Sequence, residues 1–174
     1  MRLNILCGLT IFAFLTTGCS ITYRAGIYPI PADLKVKEFQ GEGEPISINS
    51  EAIEGVKYIG TASPYRHYAD MKQVTDVTAS FLGAELSKRG FSVQRDAIKS
   101  ITLNVSQMNL TYTIAVYHCN MEMEYATSDG YKRIISPYNS GTTYNRACNG
   151  AITRGVVDLL NDSKLIDFLK SKER

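Results

Sequence analysis

The sequence has no tryptophan and only two histidines, His67 and His118, among its 174 residues. Neither histidine lies in an HExxH motif, and the chain has no GxSxG motif and no paired CxxC motifs, so zinc proteases, α/β-hydrolases and zinc ribbons are excluded. The chain also lacks a large excess of charge of either sign, since it has 19 Lys and Arg and 17 Asp and Glu. This balance argues against the basic face that a nucleic-acid partner requires. The sequence therefore predicts no catalytic residue, metal, cofactor or nucleic-acid partner.

The chain also lacks an apolar run of the roughly 20 residues that a membrane-spanning helix needs. A shorter apolar run occupies residues 5–15, after the single basic residue Arg2, and small residues follow it. This layout is typical of a secretory signal peptide. We expect residues 1–18 to be removed; a buried N-terminal strand or helix is the alternative.

The segment from Leu15 to Cys19 resembles a bacterial lipobox, in which the cysteine is acylated and becomes the first residue of the mature chain. Gly18 and Cys19 fit the pattern, whereas Thr16 stands where leucine is most common. Ser20 follows instead of the aspartate linked to inner-membrane retention, which by analogy implies sorting to the outer membrane. Because each buried acyl methylene contributes about 0.8 kcal/mol, several acyl chains anchor a protein stably. We therefore expect lipidation at Cys19 and an outer-membrane anchor facing the periplasm.

Of the four cysteines, Cys7 lies in the expected signal peptide and Cys19 is the expected lipidation site. This leaves Cys119 and Cys148, which in an oxidising periplasm are expected to form a disulfide bond. Closing a loop of this length contributes roughly 3 to 4 kcal/mol in the chain-entropy account. Two buried free thiols are the alternative.

The stretch after Cys19 is rich in prolines and glycines and has no sustained hydrophobic period. Its prolines are Pro29, Pro31 and Pro45. We expect residues 19–45 to form the lipidated cysteine and a flexible tether, with a single domain over residues 46–174. Such a coil would hold the domain roughly 25 to 30 Å from the membrane.

Two long helices are predicted from apolar residues recurring at three and four positions. The first begins near Asp70 and ends before Gly90, and its stripe comprises Met71, Val74, Val77, Phe81, Leu82 and Leu86. The second runs from about Tyr144 to Leu160. Gly150 and Gly155 inside it indicate close approach to a sheet, and a short final helix follows residues 161–163.

Alternating apolar residues predict strands between these helices. They fall on odd positions over residues 101–105, on even positions over 110–116 and on odd positions again from Met121, so a bulge or reversal is required on each side. Ser128-Asp129-Gly130 predicts a hairpin, but no residue marks the turn between Gln107 and His118. The order β-α-β-β-β-α predicts a two-layer α+β fold, with an antiparallel sheet of four to five strands and both main helices on one face.

A cluster of aromatic and cationic residues, Tyr65-Arg66-His67-Tyr68, is expected in a loop before the first helix. Tyrosine and arginine often anchor interfaces, so this loop is a candidate contact for an envelope protein or a glycan; chance placement is the alternative. His118 and Cys119 should point to opposite faces of a strand and cannot share a proton. Glu122 and Glu124 are expected on a solvated strand face.

Three segments of the chain resemble the YajG family of small bacterial lipoproteins. They are LGAELSKRGFSV (residues 82–93), ITLNVSQM (101–108) and NGAITRGVVDLLNDSKLIDFLK (149–170). The likeness covers roughly residues 70–170 in the same order, together with the lipobox. It implies an outer-membrane lipoprotein of undefined molecular role, and it carries over no catalytic residue.

Together these patterns favour a non-enzymatic, lipid-anchored protein that binds or supports another component of the cell envelope. An enzyme acting on envelope substrates is the first alternative, and it would require a pocket with convergent polar groups. A purely structural surface lipoprotein is the second.

Overall fold

A computed structural model of the chain describes residues 19–51, 54–62 and 64–171, and the expected signal peptide lies outside the described residues. Nine strands and three helices are formed within these ranges. In chain order they are β1 Ser20–Tyr23, β2 Pro45–Ser50, β3 Val56–Ala62, β4 Tyr65–Asp70, α1 Met71–Lys88, β5 Ser92–Val93, β6 Ser100–Thr113, β7 Val116–Thr127, β8 Lys132–Ile135, β9 Tyr138–Gly141, α2 Tyr144–Leu160 and α3 Ser163–Lys170.

The long antiparallel hairpin of β6 and β7 forms the centre of the larger sheet. Strand β2 pairs in parallel with β6 on one side and with β5 on the other, while β8 and β9 pair with successive halves of the free edge of β7. A smaller sheet has the order β1-β4-β3, with β1 parallel to β4. The α+β class is confirmed, but the expected single antiparallel sheet is replaced by two sheets that include parallel pairs.

Both main helices lie on one face of the larger sheet, as predicted. Helix α1 packs on β2 and β6, α2 packs on β7 and β9, and the two helices touch each other. The carboxylate of Asp70 caps α1 by accepting hydrogen bonds from the N–H groups of Lys72 and Gln73, at 3.0 and 3.3 Å. The helix ends at Lys88 with Arg89 as its C-cap, and Gly90 follows with a φ of 87°, the left-handed conformation expected of a glycine after a helix.

The two glycines inside α2 bring the helix close to the sheet, as their presence predicted. A methyl group on Gly155 would lie 2.7 Å from the Met123 side chain, and one on Gly150 would overlap the Asn139 amide. Alternate residues of β6 and β7 face this helix layer and are buried with it. The largest fully buried side chains of the core are Tyr23, Tyr125, Ile46, Met71, Leu82, Leu86, Ile101, Leu103, Leu110, Met121, Met123 and Ile152.

Asp162 joins the short third helix to the sheet. Its carboxylate caps α3 and also accepts hydrogen bonds from the hydroxyls of Tyr125 at 2.5 Å and Tyr131 at 2.9 Å, and it pairs with Arg133. Burial alone would raise the pKa of this carboxyl, but the hydrogen bonds outweigh burial and hold the pKa below its usual range. A buried charge is thereby satisfied from three elements.

The register changes predicted for the central hairpin are confirmed. Ser106 is left unpaired between Val105 and Gln107, so the inward-facing residues of β6 move from odd to even positions. The chain then reverses at Ile114 and Ala115, which have φ values of 46° and 65°. Two central residues with positive φ are characteristic of a type I′ turn, which favours Asn-Gly; Ile-Ala carries no such signal, and this is why the sequence did not mark the turn.

The stretch after Cys19 is not the free tether that we expected. Tyr23 is fully buried and its hydroxyl donates a 2.5 Å hydrogen bond to Asn149 in α2, while Phe39 is buried against Phe91. Asn161 holds the same stretch further along, accepting from the N–H of Lys37 at 2.7 Å. These aromatic anchors belong to the domain, which therefore begins at Ser20 and not at residue 46.

Candidate functional site

Cys19, the expected lipidation site, is exposed and immediately precedes β1. Its carbonyl oxygen accepts a hydrogen bond of 3.1 Å from the main-chain N–H of Arg66 in β4. Strand β1 then continues the pairing with β4 through four residues, from Ser20 opposite Arg66 to Tyr23 opposite Ala69. The cysteine is therefore held at the edge of the folded domain, with no intervening linker.

The segment Tyr65-Arg66-His67-Tyr68 is a strand, and the prediction of a loop there is wrong. It forms the first part of β4, the central strand of the smaller sheet, because β3 pairs with one edge of it and β1 with the other. Tyr65 and Arg66 are exposed, Tyr68 is half-buried and His67 is only 1% exposed. Two of the four residues are thus freely available to a partner.

Strand β3 runs in the same direction as β6 and lies against it. The Lys57 ammonium donates to the Ser106 carbonyl at 3.5 Å, and further along Gly60 meets the Leu110 carbonyl so closely that a methyl group there would overlap it. The far end of β3, and with it the start of β4 and Cys19, therefore lies toward the turn at Ile114. We call this part of the molecule the Cys19 end, comprising Cys19, Tyr65, Arg66 and residues 111–117.

An aromatic cluster extends from the Cys19 end to α2. The ring of His67 packs against Tyr144 of α2 with 4.9 Å between centroids and against Tyr117 of β7 with 6.4 Å, and Tyr117 packs on Tyr112 at 4.7 Å. Within the part of the chain that the structure describes, neither ring nitrogen of His67 has a hydrogen-bond partner. Burial lowers the pKa of this imidazole, which favours the neutral ring between its aromatic neighbours.

The other histidine, His118, faces the opposite side of β7. Its two ring nitrogens hydrogen-bond the hydroxyls of Thr113 at 2.7 Å and Tyr138 at 2.6 Å. Cys119, the next residue, is fully buried, so the two adjacent side chains lie on opposite faces as predicted. This geometry does not form a Cys-His catalytic pair.

Cys119 and Cys148 meet in the core, where β7 packs against α2. Both are free thiols in this structure, so the predicted disulfide bond is not formed here. A hydrogen bond to Cys119, together with burial, raises the pKa of the Cys148 thiol. Burial likewise raises the pKa of the Tyr23 hydroxyl close by. The two cysteines left by elimination are thus neighbours in the core, and a disulfide bond between them stays a prediction.

An open groove of about 410 Å³ separates residues 28–34 from β9 and α2. Arg146 and Arg154 line one side, and the Arg154 guanidinium donates to Asn139 at 3.0 Å. Glu122 and Glu124 lie elsewhere, on the outer face of β7, where Glu124 pairs with Lys132 at 2.5 Å. The groove is the feature that sequence reasoning missed, because its residues come together only in the fold.

Among residues 19–51, 54–62 and 64–171, no three His, Cys, Asp or Glu side chains are clustered so as to hold a metal ion. In the same ranges, no helix has the length and apolar character needed to cross a membrane.

No family model and no curated protein matches this chain. Among solved structures, a Xanthomonas campestris protein of family DUF330 is similar over 84% of this chain and 91% of its own, with 12% identity and a TM-score of 0.49. A lipoprotein from Neisseria meningitidis is similar over 67% and 97%, with 10% identity and a TM-score of 0.39. A Helicobacter pylori protein described as a neuraminyllactose-binding hemagglutinin homolog is similar over 85% and 97%, with 10% identity and a TM-score of 0.43. The resemblance to the YajG family in particular stays a prediction.

Proposed function

We propose that this chain is a lipid-anchored protein of the bacterial cell envelope, acylated at Cys19 and attached to the outer membrane on its periplasmic side. The observation that carries the proposal is the placement of Cys19, which is exposed at the very edge of the domain directly after the lipobox-like segment. An acylating enzyme requires an accessible cysteine, and a buried or strand-internal one would have argued against this role.

Within this role, we propose a binding or accessory function for another envelope component and no catalysis. The groove beside Arg146 and Arg154 supports a binding function, because its two guanidinium groups outnumber the one carboxylate that lines it, Asp33, and suit carboxylates and other anions on a protein or a glycan. It is better placed for this than Tyr65 to Tyr68, since His67 is buried and Tyr68 is half-buried.

Metabolic labelling with a palmitate analogue, followed by membrane fractionation, tests the anchor. We expect the unsubstituted protein and a Ser20→Ala control to incorporate label and sediment with outer membranes. Cys19→Ser is expected to lose the label and appear in soluble periplasm. Label retained by Cys19→Ser would contradict the proposal.

In-cell crosslinking from the groove tests the binding function. A photo-crosslinking residue replacing Thr142, which lines the groove and leaves both arginines in place, should capture a discrete envelope component. The same residue replacing Glu122 on the opposite side of the sheet is the matched control. Equal capture at both positions, or none at Thr142, would count against the groove.

A further inference from the structure

We infer that the Cys19 end lies directly on the membrane and that the hairpin tip at Ile114 and Tyr112 seats in the bilayer interface. This inference rests on the proposed acylation of Cys19. An acyl group on a cysteine that begins a strand holds the domain at the bilayer, whereas the expected tether would have allowed it to stand away. The hydrogen bond from the Arg66 N–H to the Cys19 carbonyl joins Cys19 itself to the smaller sheet, so no linker separates the acyl group from the domain.

The hairpin tip lies at the same end of the domain. Strand β3 follows β6 from Lys57 beside Ser106 to Gly60 beside Leu110, and the tip residue Ile114 lies four positions beyond Leu110. Because each strand residue advances about 3.4 Å, the tip extends roughly 13 Å past that contact. The tip therefore projects from the end of the domain that carries Cys19.

The Cys19 end carries exposed apolar and aromatic side chains. Ile114 is 97% exposed, the most exposed large hydrophobic side chain among the described residues, and Tyr112 and Tyr65 are 40% and 39% exposed. Tyrosine is favoured at membrane interfaces because its ring is apolar and its hydroxyl remains hydrated. An isoleucine on a strained turn has no packing role in the domain, but it gains free energy by entering the acyl boundary.

Charge supports a lipid surface as the occupant. None of the 17 acidic residues of the chain falls within residues 19–23, 60–62, 64–67 or 109–119, which form the Cys19 end and the strands that lead to it. The exposed cation Arg66 does lie there. A surface without carboxylates and with an arginine avoids repulsion from phosphate headgroups and attracts them.

The absence of tryptophan allows a direct test. Ile114→Trp places the only tryptophan of the chain at the tip. The full-length protein, purified with its anchor, is reconstituted into phosphatidylethanolamine–phosphatidylglycerol vesicles with brominated acyl chains. We expect roughly twofold quenching and blue-shifted emission, because an interfacial group lies about 5 to 10 Å into the headgroup–acyl boundary.

Ile98→Trp is the matched control, since Ile98 is 79% exposed and precedes the opposite end of β6. Tyr65→Trp provides a second reporter at the Cys19 end in case the tip variant does not fold. Equal, weak quenching at Ile114, Tyr65 and Ile98 would overturn the inference. A blue shift at Ile114 without bromine quenching would assign the tip to a protein contact and would also overturn it.

Flotation of the unsubstituted protein with the vesicles separates the two claims. Flotation that is lost in Cys19→Ser supports the anchor, and quenching then decides the orientation. Failure of the unsubstituted protein to float would refute the anchor and, with it, this inference.

Discussion

The main-chain N–H of Arg66 donates a hydrogen bond of 3.1 Å to the carbonyl oxygen of Cys19. This contact makes the expected lipidation site part of the smaller sheet. The domain is therefore joined directly to Cys19, and no flexible tether separates the two. The inference that the Cys19 end lies on the membrane depends on that rigidity.

The Ile114-Ala115 turn is predicted to make the fold less stable than an Asn-Gly turn at the same positions would. Replacing Ile114 with Asn and Ala115 with Gly should raise the free energy of unfolding by about 1 to 2 kcal/mol, because left-handed backbone disfavours residues with a branched Cβ and suits Asn-Gly. Urea unfolding measures the change. A double variant no more stable than the unsubstituted protein would show that the turn is not strained. It would remove strain as support for placing Ile114 at the bilayer interface.

Gly60 is predicted to be essential for the close packing of β3 against β6. Gly60→Ala should lower the free energy of unfolding by more than about 2 kcal/mol, because the added methyl group would overlap the Leu110 carbonyl at a φ of 151°. Gly130→Ala is the control, since Gly130 has a φ of 94° but open space around it, and the expected loss there is about 1 kcal/mol. Equal losses in thermal or urea unfolding would refute the close approach.

His67 is predicted to make stability depend on pH. Burial lowers its pKa in the folded state, so below about pH 6.5 the unfolded chain binds a proton that the folded chain excludes. The free energy of unfolding should therefore fall on acidification through this range, by at most about 1.4 kcal/mol per pH unit from this group.

Replacing His67 with Phe should remove that part of the slope and stabilise the fold by about 1 kcal/mol near pH 7, since two unpartnered buried nitrogens disappear. Urea titrations between about pH 7 and pH 5 measure both effects. His118→Phe is the control and should keep the slope that belongs to His67. An unchanged slope in His67→Phe would contradict the assignment.

The Cys119 and Cys148 thiols are predicted to oxidise to a disulfide bond when the chain is exported and to stay reduced in a cytoplasmic preparation. Each thiol loses a proton and together they give two electrons to the oxidising system of the periplasm. The bonded form should be more stable by roughly 3 to 4 kcal/mol. Alkylation after unfolding, with and without reductant, measures the bond. Full alkylation of exported protein without reductant would show that the buried thiols persist.

Local chemistry made the helices predictable. Asp70 supplies a cap and Gly90 a left-handed stop, so the bounds of α1 follow from the sequence, and the Ser128-Asp129-Gly130 turn between β7 and β8 follows in the same way. The turn at Ile114 could not be found because its residues oppose the conformation that they adopt.

The features that the sequence did not predict depend on contacts between residues far apart in the chain. Tyr23 is tied to Asn149 across 126 positions, and nothing near Tyr23 in the sequence indicates that partner. Strand β4 escaped prediction because its burial depends on β1 and β3 flanking it, and not on a hydrophobic pattern of its own. The carboxylate-free character of the Cys19 end was visible in the sequence, but only the fold brings those segments together.

Mass spectrometry of the mature N-terminal peptide tests the central claim most directly. The account predicts that the protein isolated from bacterial membranes begins at Cys19 and carries acyl groups on that residue. A mature chain that begins at Met1, or an unmodified Cys19, would contradict it.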